Sequence, residues 1–264
     1  MSQNVLIKIE YDGSDFSGWQ KQPDKRTVQG EIEDVLKYIA MEDVPINGTS
    51  RTDAGVHALG QCATFIWDNP MPVDRLAMVM NRRFGAGGIG RSNAPGDIRI
   101  IAAEAVPDDF HARFSCVGKT YRYVINRTGN IYHRKYAYLL DEDLDWKEMQ
   151  KAADHIVGTH DFACFQSSGG TPRETTVRTI TALDIIDHGE ELWIEVTGDG
   201  FLYNMVRIIV GTLVEVGLGK RSADEMPSVI ESCDRAKAGF TALPGGLYLK
   251  EIYFDKEKMY ENEL

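Results

Sequence analysis

Residues 48–61 read GTSRTDAGVHALGQ, which sets an arginine, a hydroxyl and a carboxylate side by side at Arg51, Thr52 and Asp53, just ahead of an apolar stretch. Gly48 and Gly55 bracket the trio and predict a turn. A carboxylate on a loop carried by a strand is placed to act as a nucleophile or as an electrostatic partner, because loops on rigid elements are where catalytic groups tend to sit. The same residues fit a plain Asx turn, in which the Asp53 carboxylate bonds the backbone two residues on. Residue types alone leave both open.

Other stretches test less well. Gly85-Ala86-Gly87-Gly88-Ile89-Gly90 matches the dinucleotide fingerprint GxGxxG. That fingerprint needs a strand before it, a helix starting on it and an acid about 20 residues on. Here a helical pattern with Asn81-Arg82-Arg83 precedes the glycines, and Arg-Ser-Asn-Ala-Pro-Gly follows, so a loop is expected, flanked by Arg82, Arg83 and Arg91. A nucleotide-dependent oxidoreductase is the weaker rival that this stretch suggests. The six histidines form no HExxH pattern and no His pair backed by cysteines, so no metal site is expected. Cys62, Cys116, Cys164 and Cys233 lie far apart with no CxxC, which points to reduced thiols rather than a disulfide frame.

The elements that must position these groups can be read from periodicity. Residues 4–11 alternate apolar and polar and predict a half-buried strand. Thr27 is a suitable N-cap for a helix with Val28, Ile32, Val35, Leu36 and Ile39 on one face. Strands follow at 61–67 and 98–106, with a helix at 73–83 between them. The second half predicts strands at 120–127 and 136–140, a helix at 145–157, and a strand pair 176–187 and 191–199 joined through His188-Gly189. Helices at 204–216 and 224–236 and a closing strand at 246–255 complete it. Hairpin-like pairs argue against a parallel βαβ array. The expectation is therefore an α+β fold: two similar mixed halves, largely antiparallel, joined around a central catalytic cleft. The boundary falls between about 105 and 115, giving domains of 1–107, which carries the Asp53 loop, and 108–264.

With 264 residues, 43% of them hydrophobic and 26% charged, the chain can bury a core. No apolar stretch approaches the roughly 18 residues of a membrane span, and the short apolar start is broken at Lys8 and Glu10, unlike a signal peptide. A cytoplasmic location without membrane contact is expected. The net charge of −11 is unusual for a nucleic-acid partner, since phosphate binding rewards local Lys and Arg. The charges are uneven, however. From Phe110 to Leu140 there is no acid, while Arg113, Lys119, Arg122, Arg127, Arg134 and Lys135 supply six positive charges. Acids gather at 141–148 and 251–264. A basic working face with an acidic back is compatible with this pattern, as is a solvated charged strand.

SRTDAGVHALGQ resembles the central motif of the TruA family of tRNA pseudouridine synthases. Six further stretches resemble the same family in order: YDGSDFSGWQKQP (11–23), RTVQGEIE (26–33), DDFHARFSCVGKTYRY (108–123), GTHDFACF (158–165), GDGFLYNMVRIIVGTLVEVG (198–217) and GGLYL (245–249). There are two departures: Ser50 stands where glycine is usual, and the Gly-rich stretch 85–97 is longer than the usual connection.

The resemblance implies isomerisation of uridine to pseudouridine around positions 38 to 40 of the tRNA anticodon stem-loop. The bond from N1 to ribose breaks, the base turns over, and C5 rejoins the sugar. Atoms are conserved, so no cofactor or metal is required. By resemblance Asp53 is the nucleophile, with attack on C1′, attack on C6 and proton abstraction toward a glycal all open. Arg207 matches the arginine that pairs with this carboxylate and keeps it ionised. Tyr121 matches the tyrosine that lies against the target base, and Arg51 the residue that helps displace that base from its stack. Tyr123 lies on the same strand face as Tyr121, and a core position fits either. Phe201 and Leu202 are expected to pack the pocket wall, with His111, Arg113, Lys119 and Arg122 as phosphate contacts. The family's partner is tRNA, not DNA, and its members act as homodimers. The rival from another class is a non-catalytic tRNA-binding module, which would not need Asp53, Tyr121 and Arg207 together. A related synthase acting at other RNA positions is the other.

Overall fold

A computed structural model describes residues 2–85, 96–170 and 174–260 of the chain. Most of the Gly-rich stretch, 86–95, and the last four residues of the acidic tail lie outside the described residues. In chain order the main elements are β1 (Gln3–Tyr11), α1 (Val28–Ala40), β2 (Asn47–Gly48), β3 (His57–Trp67), α2 (Leu76–Phe84), β4 (Ile98–Val106), β5 (Gly118–Asn126), β6 (Tyr138–Leu139), α3 (Trp146–Asp154), β7 (Gly158–Asp161), β8 (Val177–Asp187), β9 (Glu191–Gly198), α4 (Met205–Gly217), α5 (Met226–Ser232), β10 (Leu247–Tyr253) and α6 (Lys256–Tyr260). The fold is α+β with largely antiparallel pairing. The chain forms two compact units: Met1–Val117 with Tyr248–Phe254, and Gly118–Leu247 with Asp255–Leu264.

In the first unit β1 lies between β4 and β3, antiparallel to both, with Val5 opposite Ala105 on one side and Phe65 on the other. As the middle strand, β1 buries Asn4, Val5, Leu6 and Ile7 in succession, so it is not the half-buried strand its alternation predicts. β2 pairs antiparallel with β3, and β10 runs parallel to β3 at His57 and Ala58. The Thr27 hydroxyl accepts from Gly30 N–H and caps α1, whose Val28, Ile32 and Leu36 are buried while Val35 and Ile39 are partly exposed. The Asn81 amide of α2 bonds both backbone groups of Ile100 in β4, at 2.8 and 2.7 Å, and ties that helix to the strand.

In the second unit the order is β5–β9–β8–β7, antiparallel throughout, with β6 parallel to β5. α4 supplies the core: of its 13 residues, 11 are buried, which is why it is apolar all round rather than on one stripe. The strand predicted at 136–140 shrinks to the two residues of β6, and the helix predicted at 224–236 is shorter. Cys233 adopts a left-handed φ of 50° that ends α5, and short 3₁₀ turns at Ala223–Glu225 and Arg235–Lys237 flank it. The brief strands β2 and β7 carry no periodicity to announce them.

Candidate active site

Asp53 lies half-buried in a tight turn between β2 and β3. Val56 N–H donates to the Asp53 backbone carbonyl at 3.2 Å, and Gly55 supplies the left-handed φ of 79° at the third position. A backbone hydrogen bond therefore closes this turn. Arg51 is exposed and Thr52 buried. Ser50, where glycine is the usual residue, is not among the positive-φ positions, so its backbone makes no demand that a serine cannot meet.

Side chains grip the turn on either side. The buried Gln61 amide donates to Ser50 C=O at 2.6 Å and accepts from Ser50 N–H at 3.3 Å. The Thr49 hydroxyl lies 3.0 Å from Cys62 C=O and 3.1 Å from Ala112 C=O. The hydroxyls of Thr52 and Tyr11 share a buried hydrogen bond of 2.7 Å. Behind the turn runs the segment 12–19. Trp19 N–H donates to Thr52 C=O at 3.0 Å, and a Cβ on Gly18 would stand 2.7 Å from that oxygen. His57, 1% exposed, stacks on Tyr248 with ring centroids 4.7 Å apart, and its Nδ1 accepts from Gly13 N–H at 3.1 Å. Nδ1 also lies 3.3 Å from Asp12 Oδ1, which itself accepts from Ser14 N–H. Tyr11, Gln61 and His57 were not foreseen as site residues. For His57 and Gln61 the signal is spacing: they lie four residues apart as polar, buried groups on β3, a strand buried except at Leu59 and Ile66.

The segment from 107 to 115 belongs to the same unit. Asn4 donates to Pro107 C=O and Phe110 C=O, at 2.9 and 2.7 Å, and Ala112 N–H donates to Thr64 Oγ1 at 3.3 Å. His111 is half-buried and its Nδ1 accepts from Arg113 N–H, while the Arg113 side chain is exposed.

The remaining predicted residues lie in the second unit. Tyr121, 7% exposed, meets the half-buried Phe201 edge-on, with centroids 5.1 Å apart and planes at 85°. Tyr123, two residues on, is a core residue: it is fully buried, its hydroxyl donates to Leu243 C=O at 2.8 Å, and burial pushes that phenol's pKa up. Arg207 is half-buried near the start of α4. Its Nε donates to Ala242 C=O at 2.7 Å and one terminal nitrogen to Asn204 Oδ1 at 2.9 Å, and Asn204 in turn donates to Ser167 Oγ. Asn204 itself adopts φ 60°. The guanidinium is thus aimed by protein groups instead of trailing into water. Leu202 is buried, its N–H directed at Met205 Sδ. Lys119 is half-buried on β5. Arg122 is held by its cross-strand partner Glu195 at 2.7 Å and lies 3.7 Å over the Trp193 ring.

The structure thus brings Tyr121 and Phe201 together in one unit, and sets Arg51 and Asp53 in one tightly held turn of the other.

Comparison with known proteins gives this arrangement a family. A family model described as tRNA pseudouridine synthase matches residues 7–115 and 152–255. The chain is 45% identical to tRNA pseudouridine synthase A 2 of Clostridium tetani, covering 97% of this chain and 100% of that protein. It is 47% identical to tRNA pseudouridine synthase A of Acetivibrio thermocellus, over 96% and 100%. The protein of the same name from Brevibacillus brevis is 45% identical, over 93% and 97%. With most of its length matched in this way, the chain belongs to the tRNA pseudouridine synthase family.

Proposed function

We propose that this isomerase converts uridine to pseudouridine at positions 38, 39 and 40 of the tRNA anticodon stem-loop, with Asp53 as nucleophile. The observation that carries the reading is the turn at Asp53: a half-buried carboxylate on a loop held by Gln61, Thr49, Tyr11 and the segment 12–19. A nucleophile must be held in a near-attack position, and a loop fixed from both sides meets that need. In this reading Arg207 keeps Asp53 ionised and aimed. Tyr121 lies against the target base, and Phe201 and Leu202 wall the pocket. Arg51 enters the space vacated by the displaced base, offsetting part of the few kcal/mol that displacement costs. His111, Arg113, Lys119 and Arg122 contact phosphates. Tolerance of three neighbouring uridines follows if RNA shape and backbone are read rather than base edges. Two copies working in the cytoplasm as a homodimer complete the proposal.

Transcripts with 5-tritiated uridine test it, because the label leaves C5 only when the new carbon–carbon bond forms. Single-uridine substrates at 38, 39 and 40 should each release tritium to water. Firm binding without release from any of the three would move the site of action to other RNA positions.

A further inference from the structure

Phe114 is the most exposed phenylalanine among the described residues, at 78%. It is not a loose side chain on a loose loop. Phe110, four residues earlier, anchors the segment edge-on against Phe254 at 4.9 Å. Ser115 N–H donates to His111 C=O at 2.8 Å and His111 N–H to Ser115 Oγ at 3.1 Å, closing one turn around Phe114. The His111 ring lies 4.5 Å from the Phe114 ring, tilted by 37°, and the Arg113 guanidinium carbon is 5.8 Å from it. An apolar ring is thus held out into water by a rigid backbone, beside an imidazole and a permanent cation.

We propose that Phe114 is a substrate-binding residue that stacks on an unpaired nucleobase of the RNA, with His111 bracing the ring and Arg113 meeting the adjoining phosphate. Every base has a π face, so one ring serves different sequences, and a nearby cation adds to the stack. A second copy of the chain is the other occupant an exposed ring suggests. The immediate neighbours favour RNA, since the His111 ring and the Arg113 guanidinium lie beside the exposed ring. The position favours it too: Ala112, two residues before Phe114, is bound by the Thr49 hydroxyl on the approach to Arg51 and Asp53. A base stacked at Phe114 is therefore registered against the Asp53 turn through one hydrogen bond. The proposal rests on the reading of the chain as an enzyme of tRNA.

The test compares Phe114→Leu, Phe114→Trp and Arg113→Gln in the full chain, on tRNA and on a blunt, fully paired RNA duplex, with the mass in solution recorded by light scattering. Phe114→Leu should weaken tRNA binding about tenfold or more, the factor a lost base–aromatic stack is worth. It should leave duplex binding unchanged, and Phe114→Trp should keep tRNA affinity. Arg113→Gln should weaken both RNAs. Unchanged tRNA affinity in Phe114→Leu overturns the proposal, as does an equal loss on the duplex. A loss that comes with a halved mass also overturns it and assigns the ring to a second copy. Affinity is read separately from tritium release. An inactive wild type whose Phe114→Leu variant loses tRNA selectively would sink the catalytic reading and keep the stack.

Discussion

The chemistry proposed for Asp53 depends on the neighbours that hold its turn in place. His57 is a positioning residue of this kind, since its Nδ1 takes the Gly13 N–H and latches the segment 12–19 to the turn. Asparagine can place its Oδ1 near the position of that nitrogen, whereas leucine leaves the amide buried and unmatched at a cost of about 1–3 kcal/mol. His57→Asn should therefore keep most of kcat, and His57→Leu should lose about tenfold or more in kcat with KM little changed. Steady-state kinetics on both variants checks this, and equal losses in the two would remove the hydrogen bond from the account. Residue types place Asp53 in a turn but leave its role open between nucleophile and Asx turn, and only the resemblance favours the first. The identity of its latch is not legible there, because a histidine four residues after a carboxylate reads equally well as a strand residue until Gly13 is seen against it.

Elements show the same division between what patterning announces and what packing decides. Thr27 could be read as a cap because capping is local: hydroxyl, position and following apolar face all lie within a few residues. The end of α5 could not, because it turns on one left-handed residue at Cys233, a type that rarely adopts that conformation. The segment 12–19 is illegible for another reason. Its glycines answer to the turn 52–56, more than 30 residues away, where a Cβ on Gly13 would fall 2.0 Å from Val56 C=O. Two substitutions separate the roles. Thr27→Ala should cost about 1 kcal/mol of stability, lowering Tm by about 2–4 °C without altering kcat. Gly18→Ala, forced into φ 92° against Thr52 C=O, should cost about 1–3 kcal/mol and lower kcat as well. Thermal melts beside kinetics check both, and a Gly18→Ala enzyme of normal kcat would contradict the backing role of that segment.

For the whole molecule, the α+β class and most elements followed from periodicity, whereas the middle position of β1 did not, since strand order is a property of pairing and not of one strand's pattern. Charge and thiols make two predictions at this scale. An acidic protein that binds RNA through a local basic surface should still lose affinity as salt rises, and Arg113→Gln should reduce the slope of log affinity against log salt by about one. Binding titrations across a salt series read that slope, and an unchanged slope would remove Arg113 from the phosphate contacts. Burial pushes the Cys62 and Cys164 thiols from 9.0 up to about 12. Between those values the unfolded chain releases protons that the folded chain keeps, so the stability these thiols contribute is full below pH 9 and falls as pH rises toward 12. Denaturant titrations from pH 8 to 10.5 should show this decline, and Cys62→Ala with Cys164→Ala should flatten it. Among the described residues no helix is long and apolar enough to cross a membrane.

Whether Asp53 performs the chemistry is decided by tritium release from C5-labelled tRNA by Asp53→Asn beside the wild type, with tRNA affinity measured on the same preparations. Asparagine preserves the size of the side chain and the backbone turn closed by Val56 N–H. The variant should bind tRNA with wild-type affinity and release no tritium. Release at a rate near that of the wild type would contradict this and remove Asp53 from the chemistry.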